Sequence, residues 1–579
     1  MMARMGDNLV ATTFVAMRLF FLLGMLATSL KAQAVRPTPA APPRPVNAGD
    51  WSTASGDPGA NRFSPLTQIS KSNVGSLRVL WTFATGSLRA HEGNPLVAGG
   101  RLFLHTPHPV AVYAFDLDRP GAPPLWKFAP TSRDPAPFVC CDGVVRGIAW
   151  HPSGKLYVPL YPGDLVAVDA ATGKEVWRAR VGDPQQGITM NAAPIVVGDI
   201  VIVGVGGGEF GTRGYLTGYD ANTGKMLWRA YSTGTDAEVM LDAASNPAGP
   251  TAPDLGVSSW GADSWRRGGG ATWGWLSWDP DLNLVFHGTG GPAPLNPIQR
   301  AGDNKWTASL FARDPATGRA RWAVQLTPAS GFGYDGSNES IVADLTIGGK
   351  PVRALVHFDQ NGFAYTIDRT NGRVLVSGKY GPVNWASAID ATGRPVLDTL
   401  YKVTPGRKLT GVCPSLRGLK GFGPAAYSPA QSLFFVPANN LCMDYEIVPA
   451  AFTPGKPFIG ANVKVTPGPG GNRGRFLAWD ATRTTIAWEV READGLAGGA
   501  LATAGGLVFY GTLDGYLKAV DAESGRELWR FRTPSGISGT PITFAGPDGK
   551  QYLAVVSGAG AGDLPAGVNP GGVLLVFGL

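Results

Sequence analysis

Ala167–Trp177 reads AVDAATGKEVW, and this frame returns along the chain. GYDANTGKMLW ends at Trp228, ARDPATGRARW at Trp322, AWDATRTTIAW at Trp488 and AVDAESGRELW at Trp529. In each, an Asp stands eight positions before a Trp. TIDRTNGRVL, from Thr366, keeps the Asp and the Gly turn but has Val376 where Trp is expected. Asp116 to Trp126 is a stretched copy with Pro-Gly inserted, and Leu80-Trp81 keeps only the end, which makes eight units.

Each unit has one physical reading. A hydrophobic strand arrives at the Asp, and the x-x-T/S-G segment turns tightly, with Gly taking the positive φ that other residues avoid. The outgoing strand carries Trp into the layer between neighbouring sheets. Repeats of this kind, spaced by tens of residues and all β in character, predict an all-β chain folded as an eight-bladed β-propeller. The intervals from Trp228 to Trp322 and from Val376 to Trp488 are long. They leave room for large loops on one face, where function usually sits.

Composition agrees. The 579 residues include 80 Gly, 48 Pro and 17 Trp, and only 16% are charged, which suits a turn-rich β protein with a large core. Repeats running from Trp81 to Trp529 argue for one closed ring rather than several domains. MRLFFLLGMLATSL, from Met17, has a basic start and an apolar run, and Ala32-Gln33-Ala34 is an A-x-A cleavage site. Residues 1–34 are therefore read as a signal peptide, 35–50 as a Pro/Ala-rich linker and 51–579 as the ring. The expected destination is the periplasm, with no membrane span left after signal removal. Residues 1–34 hold Arg4, Arg18 and Lys31 against Asp7, so their loss takes the formal net charge from +7 to +5. No Lys/Arg run points to nucleic acid, and a mildly basic chain suits an acidic redox partner.

Four Cys after a secretion signal fit two disulfides. Cys413 and Cys442 form a loop-closing pair. Cys140 and Cys141 are neighbours, which join only in a small strained ring of the kind found at functional sites. Two buried thiols, or bridges crossing between the pairs, stay open as alternatives. C-x-x-C-H, C-x-x-C and H-E-x-x-H are all absent, which excludes c-type haem attachment and the common zinc motifs.

Phe138-Val139-Cys140-Cys141-Asp142, followed by Arg146-Gly147, resembles the quinoprotein alcohol dehydrogenases, most closely the methanol dehydrogenase large subunits. KSNVGSLRVLWTFATG from Lys71, His91-Glu92-Gly93, GGGEFGTRGYLTGYDANTGK from Gly206 and GGGATWGWLSWDP from Gly268 are similar to family blocks in order and spacing. So are AGDNKW from Ala301, GYDGSNE from Gly333, GVCPSLRG from Gly411 and GGALATAGGLVFYGTLDGYLKAVDAESG from Gly498. The resemblance implies pyrroloquinoline quinone on the propeller axis, between a Trp matched by Trp273 and a vicinal disulfide matched by Cys140-Cys141. It also implies cofactor contacts from Glu92, Arg146, Gly207 and Gly208, with Asn191 where the family has a Thr. An aromatic floor and a cation for the carboxylates suit a flat, acidic quinone.

The resemblance further implies calcium or a lanthanide beside the quinone, a primary alcohol or related aldehyde as substrate, and a separate soluble cytochrome c as electron acceptor. Glu209 matches the ligand Glu. Gly291 stands where the family has the ligand Asn, and Gly333 where it has the catalytic Asp. Gln360 replaces an Arg beside the quinone, and Ala497 a Trp. Asp335 lies two residues after Gly333, and in an extended segment residues i and i+2 share a face. It is therefore the candidate for both metal ligand and base, and the two glycines are expected to widen the pocket. Asp303 and Glu339 read as structural. A catalytically degenerate propeller that only binds or scaffolds is the alternative.

Overall fold

The computed structural model describes residues 49–131, 141–161, 163–242, 245–246 and 252–579. Eight sheets are arranged in chain order, at residues 96–128, 149–180, 195–231, 277–325, 340–379, 426–492, 500–532 and 542–578, here blades 1 to 8. Blades 1 to 6 are four-stranded. Blade 7 gains a fifth, parallel strand from Phe63–Ser64. Blade 8 has three strands of its own, and its fourth is Arg78–Ala84, antiparallel to Val573–Gly578. An early strand thus completes the last blade and closes the ring. The first strand of blade 1 is wholly buried, while Glu175–Arg180, the outermost strand of blade 2, alternates exposed and half-buried residues.

The repeated frame is what joins blade to blade. In the turns, the Asp carboxylate accepts from the backbone that follows it. Asp169 takes Ala171 N, Thr172 N and the Thr172 hydroxyl, and Asp220 and Asp314 repeat the pattern with Thr223 and Thr317. The Trp packs on its own blade and also reaches the next one. Trp126, Trp177, Trp228, Trp322 and Trp488 each donate the indole N–H across the boundary to the carbonyl just after the next blade's Asp. Their acceptors are Ala170, Ala221, Pro315, Arg369 and Ala522, at 2.9–3.2 Å. Each ring rests on the turn glycine of that same blade. A Cβ at Gly173, Gly224, Gly318, Gly372 or Gly525 would come within 2.5–2.7 Å of the incoming indole. These glycines therefore meet two demands at once, a φ of +72° to +79° and a flat landing surface. Trp529 packs edge-on against Phe577 of blade 8.

The boundary between blades 5 and 6 departs from the rule in both members of the pair. Blade 6 has Thr484 in the glycine position, at φ +54°, and blade 5 offers Val376 in place of Trp. A Cβ at Gly378, on the strand that carries Val376, would lie 2.9 Å from Thr484 Cβ. The Thr fills space that an indole takes elsewhere, so the two exceptions belong together.

The long intervals hold excursions. Residues between blades 3 and 4 carry two short helices, Asp236–Val239 and Leu255–Ser258. The region around blade 6 carries the hairpin Ala386–Ile389/Pro395–Leu397 and a three-stranded sheet of Leu409–Val412, Leu441–Ile447 and Ala461–Pro467. The Cys413–Cys442 disulfide ties this second excursion to itself, as expected. It leaves neither cysteine free to bridge elsewhere. Cys140 and the Cys141 side chain lie outside the described residues, so the Cys140–Cys141 pairing does too.

Val376→Trp alone is expected to destabilise the ring, because Thr484 stands in the indole's place. Val376→Trp with Thr484→Gly should restore the common pairing. Denaturant unfolding of both single variants and the double should show a favourable coupling of about 1 kcal/mol or more.

Candidate functional site

The buried charges that matter lie on segments entering the ring between blades. Glu92 precedes blade 1, Arg146 precedes blade 2, Asn191 precedes blade 3 and Trp273 precedes blade 4. Arg146 Nη2 lies 2.8 Å from Glu92 Oε2, and both side chains are 5% exposed. Arg146 N–H donates to Asn191 O at 3.0 Å. The guanidinium lies over the Trp273 ring at 4.8 Å and over Phe422 at 5.2 Å, and Nη1 reaches Trp273 O at 3.5 Å. Asp142 is engaged elsewhere, with Arg89 and Ala90 N–H, so the partner of Arg146 is Glu92.

Trp273 leads to Asp335. Its indole N–H donates to Asp335 Oδ2 at 2.6 Å, while Gly291 N–H donates to Oδ1. Asp335 N–H donates to Gln360 Oε1 at 3.0 Å. The carboxylate is thus aimed by two N–H groups and its backbone is fixed by a third contact. Glu209 sits in the single turn Gly208–Phe210, bracketed by Gly207 and Gly211, both with positive φ. At Gly207 a Cβ would come 2.0 Å from Gly187 O, so only glycine fits there.

Electrostatics mark the same residues. Burial pushes the Glu92 carboxyl up to about 7, against the pull of Arg146. Burial raises Asp335 too, opposed by its bonds from Gly291 and Trp273. Glu209 is raised by burial and, to a lesser degree, by the charge of Asp335, which shows the two carboxylates sense each other. Glu92 Oε2 meets Arg146 alone, and Arg146 Nε and Asn191 Oδ1 are buried with no hydrogen-bond partner among the described residues. Interiors leave few such atoms.

One expectation is corrected. Neither site glycine opens space. A Cβ at Gly291 would meet Tyr334 O at 3.1 Å and Asp335 Oδ1 at 3.2 Å. One at Gly333, where φ is +77°, would meet Leu295 Cδ2 at 3.0 Å. The expected widening is therefore absent, because neighbouring backbone and Leu295 have filled it. Asp303 and Glu339 have partners of their own, Arg394 at 2.9 Å and the buried Lys420 at 2.7 Å. Sequence reasoning missed Phe422, which supports Arg146. Its Gly-Phe-Gly setting is the one available hint, since a Cβ at Gly423 would sit 2.5 Å from Gly498 O.

A β-propeller whose entry segments carry an Arg–Glu pair, an indole and an aimed carboxylate, with a second carboxylate on a turn inside blade 3, has the make-up of the propeller dehydrogenases. The family model described as PQQ, glucose/ethanol/alcohol dehydrogenase, β-propeller domain, matches residues 51–395 and 474–553, and the chain belongs to that family. It is similar to the lanthanide-dependent methanol dehydrogenase of Methylorubrum extorquens, 46% identical over 515 residues, which cover 86% of this chain and 85% of that protein. It is also similar to methanol dehydrogenase (cytochrome c) subunit 1 of Paracoccus denitrificans, 40% identical over 88% of this chain and 83% of that protein. Among solved structures, a europium-containing methanol dehydrogenase matches with TM-score 0.90 and 43% identity, covering 92% of this chain and 98% of that one.

Because the Glu92 pKa in the folded protein lies above the 4.5 of a free glutamate, Glu92 favours folding most below pH 4.5. That contribution is lost as pH rises through 7 and amounts to roughly 3 kcal/mol at most. The ligand-free protein should melt higher at pH 5.5 than at pH 8.5. Glu92→Gln should flatten that slope, whatever it does to the absolute melting temperature, as scanning calorimetry across pH will show.

Proposed function

We propose that the chain oxidises an alcohol, or a related aldehyde, with pyrroloquinoline quinone as the acceptor. The observation that supports this reading is the buried Arg146–Glu92 pair stacked on Trp273, with Arg146 Nε and Asn191 Oδ1 left without a partner among the described residues. The quinone's carboxylate and carbonyl oxygens would supply the acceptor that Arg146 Nε lacks, and its pyrrole N–H a donor for Asn191 Oδ1. Glu92, Arg146, Asn191, Trp273 and the backbone of Gly207 and Gly208 would hold it, with Cys140-Cys141 as the lid. For calcium or a lanthanide the fit is partial. Glu209 and Asp335 are hard oxygen donors, but the described residues contain no group of three His, Cys, Asp or Glu able to hold a metal. Hard cations take six to eight oxygens, so much of the shell comes from outside these side chains. Two carboxylates reward a trivalent ion more than a divalent one.

When bound, the quinone supplies a two-electron acceptor and the cation supplies Lewis acidity. The chain's own residues orient and take protons. Arg146 and Trp273 would hold the quinone, the one by charge and the other by its flat face. Asp335 takes the hydroxyl proton on a carboxylate oxygen that Trp273 and Gly291 hold in place. The electrons pass to a soluble cytochrome c. Residues 1–34 act as the export signal to the periplasm, 35–50 as the linker and 51–579 as the working ring. No helix among the described residues is long and apolar enough to cross a membrane.

The second reading, a degenerate propeller that binds without turnover, is favoured by Gly291 and Gly333 and by the short ligand set. Dye-linked alcohol oxidation with added quinone and either lanthanum or calcium separates the two. We expect turnover, faster with lanthanum, and a fall of roughly 10²–10⁴ in Asp335→Asn. Bound quinone without turnover on any alcohol establishes the second reading. Fast turnover untouched by Asp335→Asn moves the base to another residue.

A further inference from the structure

Residues 49–62 run beneath the axial site and bond to most of the ring. Trp51 exchanges two hydrogen bonds with Val97 of blade 1. Pro58 O accepts from Trp278 N–H of blade 4, Gly59 O from Val342 of blade 5, and Asn61 O from Tyr427 of blade 6. Arg62 O accepts from Ala502 of blade 7, and Gly49 O from Ala545 of blade 8. These bonds run at 2.7–3.0 Å.

Within this segment Arg62 is fully buried. Its Nε donates to Ala500 O at 3.2 Å, Nη1 to Ala54 O at 2.9 Å and Nη2 to Asn94 Oδ1 at 3.1 Å. The guanidinium also lies over Trp51 at 5.9 Å and Trp275 at 5.7 Å. Each neighbour leads to the site. Asn94 is two residues past Glu92, and Trp275 is two past Trp273. Ala54 lies against Gly147, next to Arg146, where an added Cβ would be 3.2 Å away. Trp275 Nε1 donates to Phe422 O at 2.7 Å, and the Phe422 ring underlies Arg146.

We propose that Arg62 is a positioning residue of the quinone pocket, and that segment 49–62 is a built part of the site rather than a leader to the ring. The inference rests on the quinone reading above. A planar fork is needed, because three acceptors are met in three directions while two indoles take the flat cation. A lysine offers one point charge on a flexible stem and cannot do this. Nothing in the arrangement has Arg62 touch the ligand. It acts by holding Asn94, Ala54 and Trp275, and through them Glu92, Arg146 and Trp273.

The test uses the full chain without cofactor, titrated with pyrroloquinoline quinone and followed by tryptophan quenching and by the absorption of the bound quinone. Arg62→Lys is compared with Arg313→Lys. Arg313 is a second fully buried arginine, bonded to His287, Val239 O and Gly318 O in blade 4 and its surroundings. Both variants should lower the melting temperature. Only Arg62→Lys should weaken quinone binding, by at least tenfold, and shift the absorption of what remains bound. Arg313→Lys should bind within twofold of the unmodified protein. Wild-type affinity in folded Arg62→Lys, or an equal loss in Arg313→Lys, overturns the proposal. If Arg62→Lys does not fold, Asn94→Ala, which removes the Nη2 acceptor and the local Nδ2–H bond to Pro95 O, carries the same expectation and the same refutation. Failure of the unmodified protein to bind quinone removes the functional reading and this inference together, and is seen before any substitution is made.

Discussion

The contact on which this architecture depends is an indole laid on a glycine across a blade boundary. A propeller sheet buries its faces only against its neighbours, so the ring is as good as its boundaries. Five of the repeated Trp each give a boundary a large apolar surface and one directed hydrogen bond. The turn Asp holds the landing site in shape by accepting from its own turn. The glycine keeps that site flat. Losing Trp228 or Trp322, the two buried members, to Ala is a change of about 3–5 kcal/mol by the usual scale for buried aromatics. The Val376–Thr484 boundary shows that the pair can be exchanged, provided both members change.

A rigid ring then makes a precise axis possible. Glu92, Arg146, Asn191 and Trp273 come from four different entry segments, and their mutual distances are set by how the first four blades pack. Side chains that must meet a flat ligand benefit from such support, since a site loosened by an ångström functions poorly. Burial is also what raises Glu92 and Asp335. The ring therefore supplies the electrostatic setting as well as the geometry.

Much of this was legible in the sequence, and the reasons differ by feature. The Asp-x-x-T/S-G-to-Trp frame is local and repeated, so it survives being read one residue at a time. Glu92, Arg146, Trp273, Glu209 and Asp335 were legible because each sits in a short block resembling the family. What was hidden is long-range. That each Trp serves the next blade's glycine cannot be seen in either residue alone. The two N–H groups that aim Asp335 come from Trp273 and Gly291, far away in the chain. Gly291 and Gly333 looked like lost bulk, yet the backbone of Tyr334 and the side chain of Leu295 occupy that bulk. Arg62 carried no signal at all, since a lone arginine before a ring reads as surface until its three acceptors are found.

The pairing of Arg78–Ala84 with Val573–Gly578 also bears on the order of events at the ribosome. The early strand is made almost first and its partner almost last. Until then Arg78–Ala84 is an unpaired edge, and the wide contact it awaits is among the slowest kinds to form. Blades 1 to 7 can assemble as an open arc while synthesis continues. The final step is one of closure, in which the last blade arrives and the arc becomes a ring. Until that moment the axis has an open side, so the pocket on it is the last part of the molecule to come into being.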